Sequence, residues 1–385
     1  MNAPGGVAAG LYVHVPFCSS VCPYCDFAVT VAGEERRAQW AQSLLNEAAM
    51  YADHGFEFDT VYFGGGTPSA LKIGRLSRVV EGLRKRLRIQ PDARFFIEVN
   101  PEDVSRETAR AWLDLGFSSA SVGVQALDDR TLRFLGRKHT ADQARACIAE
   151  LLASGLTTVS LDLIFGLPDQ NRTDWAKQLL EAVQLGVHHI SAYQLTIHGG
   201  TIFGKRREAG LMSEMGGTSQ ADLYALTHQI LGEADFESYE VSNFAHPGHR
   251  SAHNLKYWIG APYLGLGPGA HSFDGAGKRW WNRRKVRLWR RDIEKGRRPI
   301  EGEETLTERQ RALEVLMLGT RMADGIDLAG FERRFPFDVI RPNADTLADL
   351  EADGLIRRLG DHIAPTPTGM AVADALARAI ELEDR

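Results

Sequence analysis

Between residues 11 and about 200 the chain alternates short apolar runs with longer amphipathic stretches, and this rhythm constrains the fold more than any other feature. The runs are LYVHV (11–15), TVYFGG (60–65), FFIEVN (95–100), SASVGVQ (119–125), TTVSLDLIFG (157–166) and HHISAYQLT (188–196). Segments of helical period lie between them, such as AQWAQSLLNEAAMYA and TARAWLDLG. Strand and helix alternating at this spacing predict βαβ units and a parallel sheet. Six units fall short of the eight that close a full barrel, so the expected core is a partial (β/α)6 barrel. Polar and glycine residues stand at the C-terminal ends of the runs: a cysteine loop, Gly64–Thr67, Glu98 and Asn100, and Gln125, with Asp162 inside the fifth. In a parallel α/β barrel those ends form one rim, so these residues should meet at one mouth.

Past residue 200 the rhythm breaks. A polar connection, a helix, a glycine- and aromatic-rich stretch (253–273) and a basic run, KRWWNRRKVRLWRR (278–291), precede helical patterns that end in a hairpin-like segment. The expected division is a core at 1–200, a linker region at 201–304 and a helical, winged-helix-like α+β module at 305–385. A chain of 385 residues with 44% hydrophobic and 25% charged content is globular rather than disordered. The formal net charge of −5 and a weakly basic tail argue against a nucleic-acid partner. The first residues carry no basic and apolar leader, and no stretch approaches the length of a spanning helix. Only four cysteines, three of them crowded together, argue for a reducing, cytoplasmic setting.

Cys18, Cys22 and Cys25 are spaced C-x3-C-x2-C directly after the first run. Disulfide frameworks want even numbers, and structural zinc wants four ligands. Three thiolates suit a [4Fe–4S] cubane with one iron left open. Zinc with His14 as the fourth ligand is the alternative, although the distant second ligand pair common in zinc sites is missing. Cys147, on a helical stretch, reads as a small apolar core residue.

The cysteine spacing followed by GGGTP resembles the radical S-adenosylmethionine (SAM) superfamily. YVHVPFCSSVCPYCDF, YFGGGTPS, EVNPE, SVGVQALDDRTLRFLGRKHT, DLIFGLP, YEVSNFAHPGHRSAHNLKYW and YLGLGPGAHSF together resemble the group of HemW-type haem chaperones and oxygen-independent coproporphyrinogen III oxidases. The resemblance runs from about residue 11 into the C-terminal module. It implies a [4Fe–4S] cluster on Cys18, Cys22 and Cys25 whose open iron takes SAM, with an electron donor wherever SAM is cleaved to a 5′-deoxyadenosyl radical. It further implies SAM contacts from Gly65, Gly66 and Thr67, from Glu98, Gln125, Arg137 and Asp162, and a place for Tyr12 beside the cluster. Arg137 suits the methionine carboxylate as a charge-assisted partner.

Two functions share this group: haem delivery to an acceptor protein and radical decarboxylation of coproporphyrinogen III. The oxidases carry a further cysteine two positions after the last ligand, where this chain has Phe27, and an extended segment before the cluster motif. HNLKYW (253–258) matches the HNxxYW element of the chaperones. All three point to the chaperone. His253 then becomes the first candidate haem ligand, against the alternative of a histidine satisfied in a packed turn, and His271 the second. His198 stands where the group commonly has Glu. The basic run at 278–291 is expected to lay arginine stems over apolar surface, with weak contact to an anionic membrane as a hypothesis.

Overall fold

The computed structural model describes residues 7–385, so residues 1–6, on which part of the leader reading rests, lie outside it. Six strands pair in sequence order, all parallel: β1 (Ala9–Val15), β2 (Phe58–Gly65), β3 (Ile89–Val99), β4 (Phe117–Gln125), β5 (Thr158–Phe165) and β6 (His189–Gln194). Each expected run falls on one of them. The connections hold helices α1 (Glu34–Ala49), α2 (Ile73–Arg84), α3 (Arg106–Asp114), α4 (Asp129–Phe134), α5 (Ala141–Ala153) and α6 (Arg172–Gln184).

Period decides what faces where. Along the strands Leu11, Val13, Val15, Val61, Phe63, Val159, Leu161 and Leu163 are buried in the main core. Alternate residues, Tyr62, Glu98, Ser121, Asp162 and Ser191, line an enclosed space instead. Helix α1 buries Trp40, Leu44 and Ala48, one residue per turn on a single stripe, and α6 buries Trp175, Leu179 and Ala182 the same way. Cys147 is buried on α5 beside Ala144, Ile148 and Leu151, and burial pushes its thiol up to about 12. It packs as core.

Residues 201–304, expected as an irregular linker, extend the sheet at both edges. They form α7 (Ile202–Glu208), α8 (Gly217–Glu233), β7 (Glu237–Ser238), β8 (Asn243–Ala245), α9 (Ala252–Trp258), β9 (Tyr263–Leu266), β10 (His271–Phe273), β11 (Lys278–Asn282), α10 (Val286–Glu294) and β12 (Ile300–Thr305). β8 runs antiparallel on β6, and β7 pairs beyond it. β9 runs parallel on β1, and β10, β11 and β12 follow antiparallel. The result is a twelve-stranded sheet. These added strands are two to six residues long, too short to show the sustained apolar alternation that marks a strand in sequence.

The basic run falls on β11 and α10. Trp280 and Trp289 are buried there, while Arg279 meets Glu304 and Glu314, Arg283 meets Asp292 and Glu301, and Arg290 meets Glu294. Carboxylates, more than water, receive these guanidinium groups. The C-terminal region has its own core, with Leu316, Leu328, Phe331, Leu347, Ile363 and Leu376 packed among four helices and a hairpin of Ile356–Leu359 with His362–Pro365. No helix among the described residues is long and apolar enough to cross a membrane.

Candidate SAM and cluster site

A cavity of about 630 Å³ occupies the barrel interior, within the range of small-molecule sites. At one end lie Cys18, Cys22 and Cys25, with Gly65, Gly66, Thr67, Glu98, Gln125, Arg137 and Asp162 along the walls. At the other end lie Ser118, Thr158, His249 and Arg250, near the N-terminal ends of the strands.

The cysteine loop is tied down at both ends. Cys18 N–H donates to Thr30 O (3.1 Å), Thr30 N–H to Pro16 O (2.6 Å), and Phe203 N–H to Pro23 O (2.9 Å). His14 Nε2 donates to Ala28 O (3.0 Å) while its Nδ1 accepts from Tyr12 OH (3.1 Å), which fixes the tautomer. Tyr12 does not line the cavity; it reaches the loop through His14. Burial raises the Cys18 thiol and pushes Cys25 up to about 11. Among the described residues no three His, Cys, Asp or Glu are gathered to hold a single metal ion. The thiols instead line one end of the cavity, a donor set that fits a multi-iron cluster, whose ligands sit at separate corners.

The glycine turn is shaped by its neighbours. Gly65 has φ +106°, and a Cβ there would lie 2.3 Å from the His14 ring. A Cβ on Gly66 would lie 2.7 Å from the carbonyls of Val15 and Phe17. The Gly65 N–H donates to Glu98 Oε2 (2.9 Å), Gly66 N–H to Val15 O (2.8 Å) and Thr67 N–H to Phe17 O (2.7 Å). With its N–H groups committed, this turn has carbonyl oxygen to present, the acceptor an ammonium needs.

Glu98 also accepts from Tyr62 OH (3.0 Å), and burial, with Asp162 nearby, pushes it up to about 7. Asp162 accepts from Ser121 (2.9 Å) and is pushed up to about 6 by burial. Neither acid has an ion-pair partner among the described residues. Two uncompensated carboxylates on the wall of one cavity favour a cationic, hydroxyl-rich ligand. Gln125 holds φ +70°, a left-handed conformation uncommon outside glycine, at the strand end where β4 slips register against β5.

Arg137 follows Gly136, whose φ of +67° lets the turn after α4 press against Pro23. Its Nη2 donates to Asn100 Oδ1 and Gly123 O (2.8 Å each), and Nη1 lies 3.6 Å from Cys22 Sγ. Its Nε is buried with no partner, a donor facing the task that a ligand carboxylate would complete. The sequence singled out this arginine through the resemblance and missed what holds it: Gly123, Gly136, and Asn100, which it set at the rim but not as the partner of the arginine. It also missed Tyr62, Ser121, Ser191 and Tyr193 on the cavity walls, though each lies directly beside a buried apolar residue of its strand, the alternation that would have found it.

His253 is placed differently from its expected role. It is 1% exposed and does not line the cavity. Its Nδ1 is bonded to Thr60 Oγ1 (3.0 Å) and its Nε2 to Tyr257 OH (2.9 Å), and its ring stacks on Tyr62 at 5.1 Å. Burial pushes its pKa down to about 3. In this arrangement no ring nitrogen is open to an iron, and HNLKYW forms a helix, α9, seated against β1 and β2 under the barrel. His271 is exposed, stacks on Trp281 and lies outside the cavity. His198 does line it, 49% exposed, with Nδ1 3.9 Å from Asp26 Oδ2.

Comparison with known proteins agrees with this architecture. Residues 12–181 match the Radical SAM superfamily and residues 306–372 the HemN C-terminal domain. The heme chaperone HemW of Mycobacterium tuberculosis (strain ATCC 25618 / H37Rv) is 35% identical over 380 residues, covering 97% of this chain and 95% of its own. HemW of Escherichia coli (strain K12) is 36% identical over 265 residues, 68% of this chain and 69% of its own. Coproporphyrinogen III oxidase (HemN) from Escherichia coli superposes with a TM-score of 0.84 at 21% identity, over 97% of this chain and 89% of that one, a likeness of fold. The chain belongs to the HemW family of the radical SAM superfamily.

Proposed function

We propose that this protein is a haem chaperone, which binds haem and passes it to an acceptor protein, and that it carries a [4Fe–4S] cluster on Cys18, Cys22 and Cys25 with SAM in the cavity beside it. The observation that carries the reading is the near full-length relationship to HemW. The donor set supports the cofactors: three thiols without a fourth, carbonyls on the glycine turn for an ammonium, the orphaned Nε of Arg137 for a carboxylate, and Glu98 and Asp162 for a sulfonium and hydroxyls. When bound, the cluster and SAM supply one-electron reductive chemistry, which draws on an external electron donor. The chain's own residues bind, orient and shield: the barrel walls exclude water, and Arg137 holds Asn100 and Gly123 in place beside the cysteine loop. The reduced thiols fit the cytoplasm. Phe27, 61% exposed at the mouth, stands where the oxidases of the group have a cysteine.

The test is one anaerobic incubation of the cluster-reconstituted protein with coproporphyrinogen III, SAM and a strong reductant, alongside haem titration and transfer to an apo-acceptor. Haem binding and transfer without decarboxylated porphyrin is the expected result. Protoporphyrinogen accumulating over many turnovers would make the protein an oxidase.

A further inference from the structure

The cavity is lined by three histidines, and they differ in what their rings have left to give. His189 is buried, with Nδ1 bonded to Ser160 (2.7 Å) and Nε2 to Tyr239 (2.8 Å). His249 is bonded to Thr158 through Nδ1 (2.9 Å) and stacked on His188 at 4.5 Å. His198 makes no hydrogen bond through either nitrogen, is half exposed, and has a carboxylate, Asp26, 3.9 Å from Nδ1. With neither nitrogen committed, His198 is the one of the three whose whole ring is free to ligate a metal, and Asp26 is close enough that a small side-chain movement would let it accept from the other ring nitrogen.

The surroundings suit a flat apolar ligand with acidic arms. Val21 and Phe27, 48% and 61% exposed, line the mouth beside Asp26. Ile202, 52% exposed, stands next to Phe203, whose N–H is bonded to Pro23 of the cysteine loop. Isolated apolar residues on a surface are ordinary, but two at one opening, with a third on the segment bonded to the same loop, make a candidate binding face. Lys138 lines the same opening, exposed, with a carbonyl, Ser19 O at 3.1 Å, as its partner and no carboxylate. It is free to meet a propionate.

We infer that haem docks at this mouth, over the cysteine loop, with His198 as its axial ligand and Val21, Phe27 and Ile202 against the macrocycle. The inference rests on the chaperone reading and names where its cargo sits. The residues assigned to SAM line the walls further in, so both ligands have room, and haem at the mouth covers the way out.

The experiment is titration of the full-length, cluster-reconstituted, SAM-loaded protein with ferric haem, read by Soret difference spectra and low-temperature EPR, for wild type, His198→Ala and His198→Met. Because His198 is exposed, iron content should be unchanged in both variants. His198→Ala is expected to lose the histidine-ligated signature and to weaken binding by about tenfold or more. His198→Met should restore binding with a displaced Soret band, since a thioether also ligates haem iron. Release of radiolabelled SAM should slow when haem binds wild type and not when it is added to His198→Ala. A wild-type Soret band and affinity in His198→Ala overturn the inference and leave the chaperone reading standing. Wild type that takes up no haem overturns the chaperone reading itself.

Discussion

Replacing Gly65 with alanine separates two reasons for a glycine at the SAM turn. If the glycine served only ligand access, the apo fold would tolerate a methyl group. The structure says otherwise: the new Cβ would stand 2.3 Å from two atoms of the His14 ring, at φ +106°. His14 cannot withdraw freely, because its ring is held between Tyr12 OH and Ala28 O. Backbone strain of ~1–3 kcal/mol and overpacking of a similar ~1–3 kcal/mol give a total cost of roughly 2–6 kcal/mol. Since Ala28 lies in the cysteine loop, the displacement should reach the cluster. Iron and sulfide per chain should fall together with the midpoint of thermal unfolding. Gly74→Ala is the control: it lies in α2 with nothing within 4 Å of an added Cβ, and should be neutral or stabilising by up to about 1 kcal/mol. Gly65→Ala that keeps its full iron content and the wild-type unfolding midpoint would refute the reasoning.

Arg137→Lys keeps a charge but cannot reach Asn100, Gly123 and Cys22 at once; SAM affinity measured by equilibrium dialysis should drop about 10–100-fold at unchanged iron content, and an unchanged affinity would count against its assigned role. Glu47, buried on α1, accepts from Gly267 N–H (2.8 Å), Trp289 Nε1 (3.0 Å) and Asn282 Nδ2 (2.5 Å), yet burial pushes it from 4.5 up to about 8. The folded chain keeps this proton across a window where the unfolded chain has lost it, so stability drawn from Glu47 falls as pH rises from about 4.5 to 8 and then levels, by up to ~1.4 kcal/mol per pH unit. The unfolding midpoint of Glu47→Gln relative to wild type should therefore climb between pH 5 and 8; a pH-independent difference would exclude the effect.

The parallel core was legible because its strands are long enough to show a period. LYVHV and TVSLDLIF alternate, and the carboxylates set within apolar strands, Glu98 on β3 and Asp162 on β5, could only be cavity-facing or paired. The cluster loop was legible because three cysteines in eight residues have few chemical uses. The sheet's extensions were not, since β8 and β10 have three residues each and derive their stability from pairing with neighbours that sequence does not reveal. His253 shows the other limit. A short polar-aromatic helix has no period to report which side chains turn inward, and the same six letters fit a ligand or a buried, doubly bonded imidazole. Only the positions of Thr60 and Tyr257 decide between them.

The sheet never closes on itself: β8 flanks β6 at one edge, β9 flanks β1 at the other, and the two do not pair. The chain that joins those edges is the stretch carrying α9, which is pinned beneath the strands by the contacts of His253 and by Lys256, bonded to Ala8 O (2.6 Å) and Asp59 (2.7 Å). That stretch acts as a buckle on an open collar. How far the two flanks stand apart, and hence how wide the interior is for whatever it holds, is set by a short helix that touches neither the thiols nor the glycine turn.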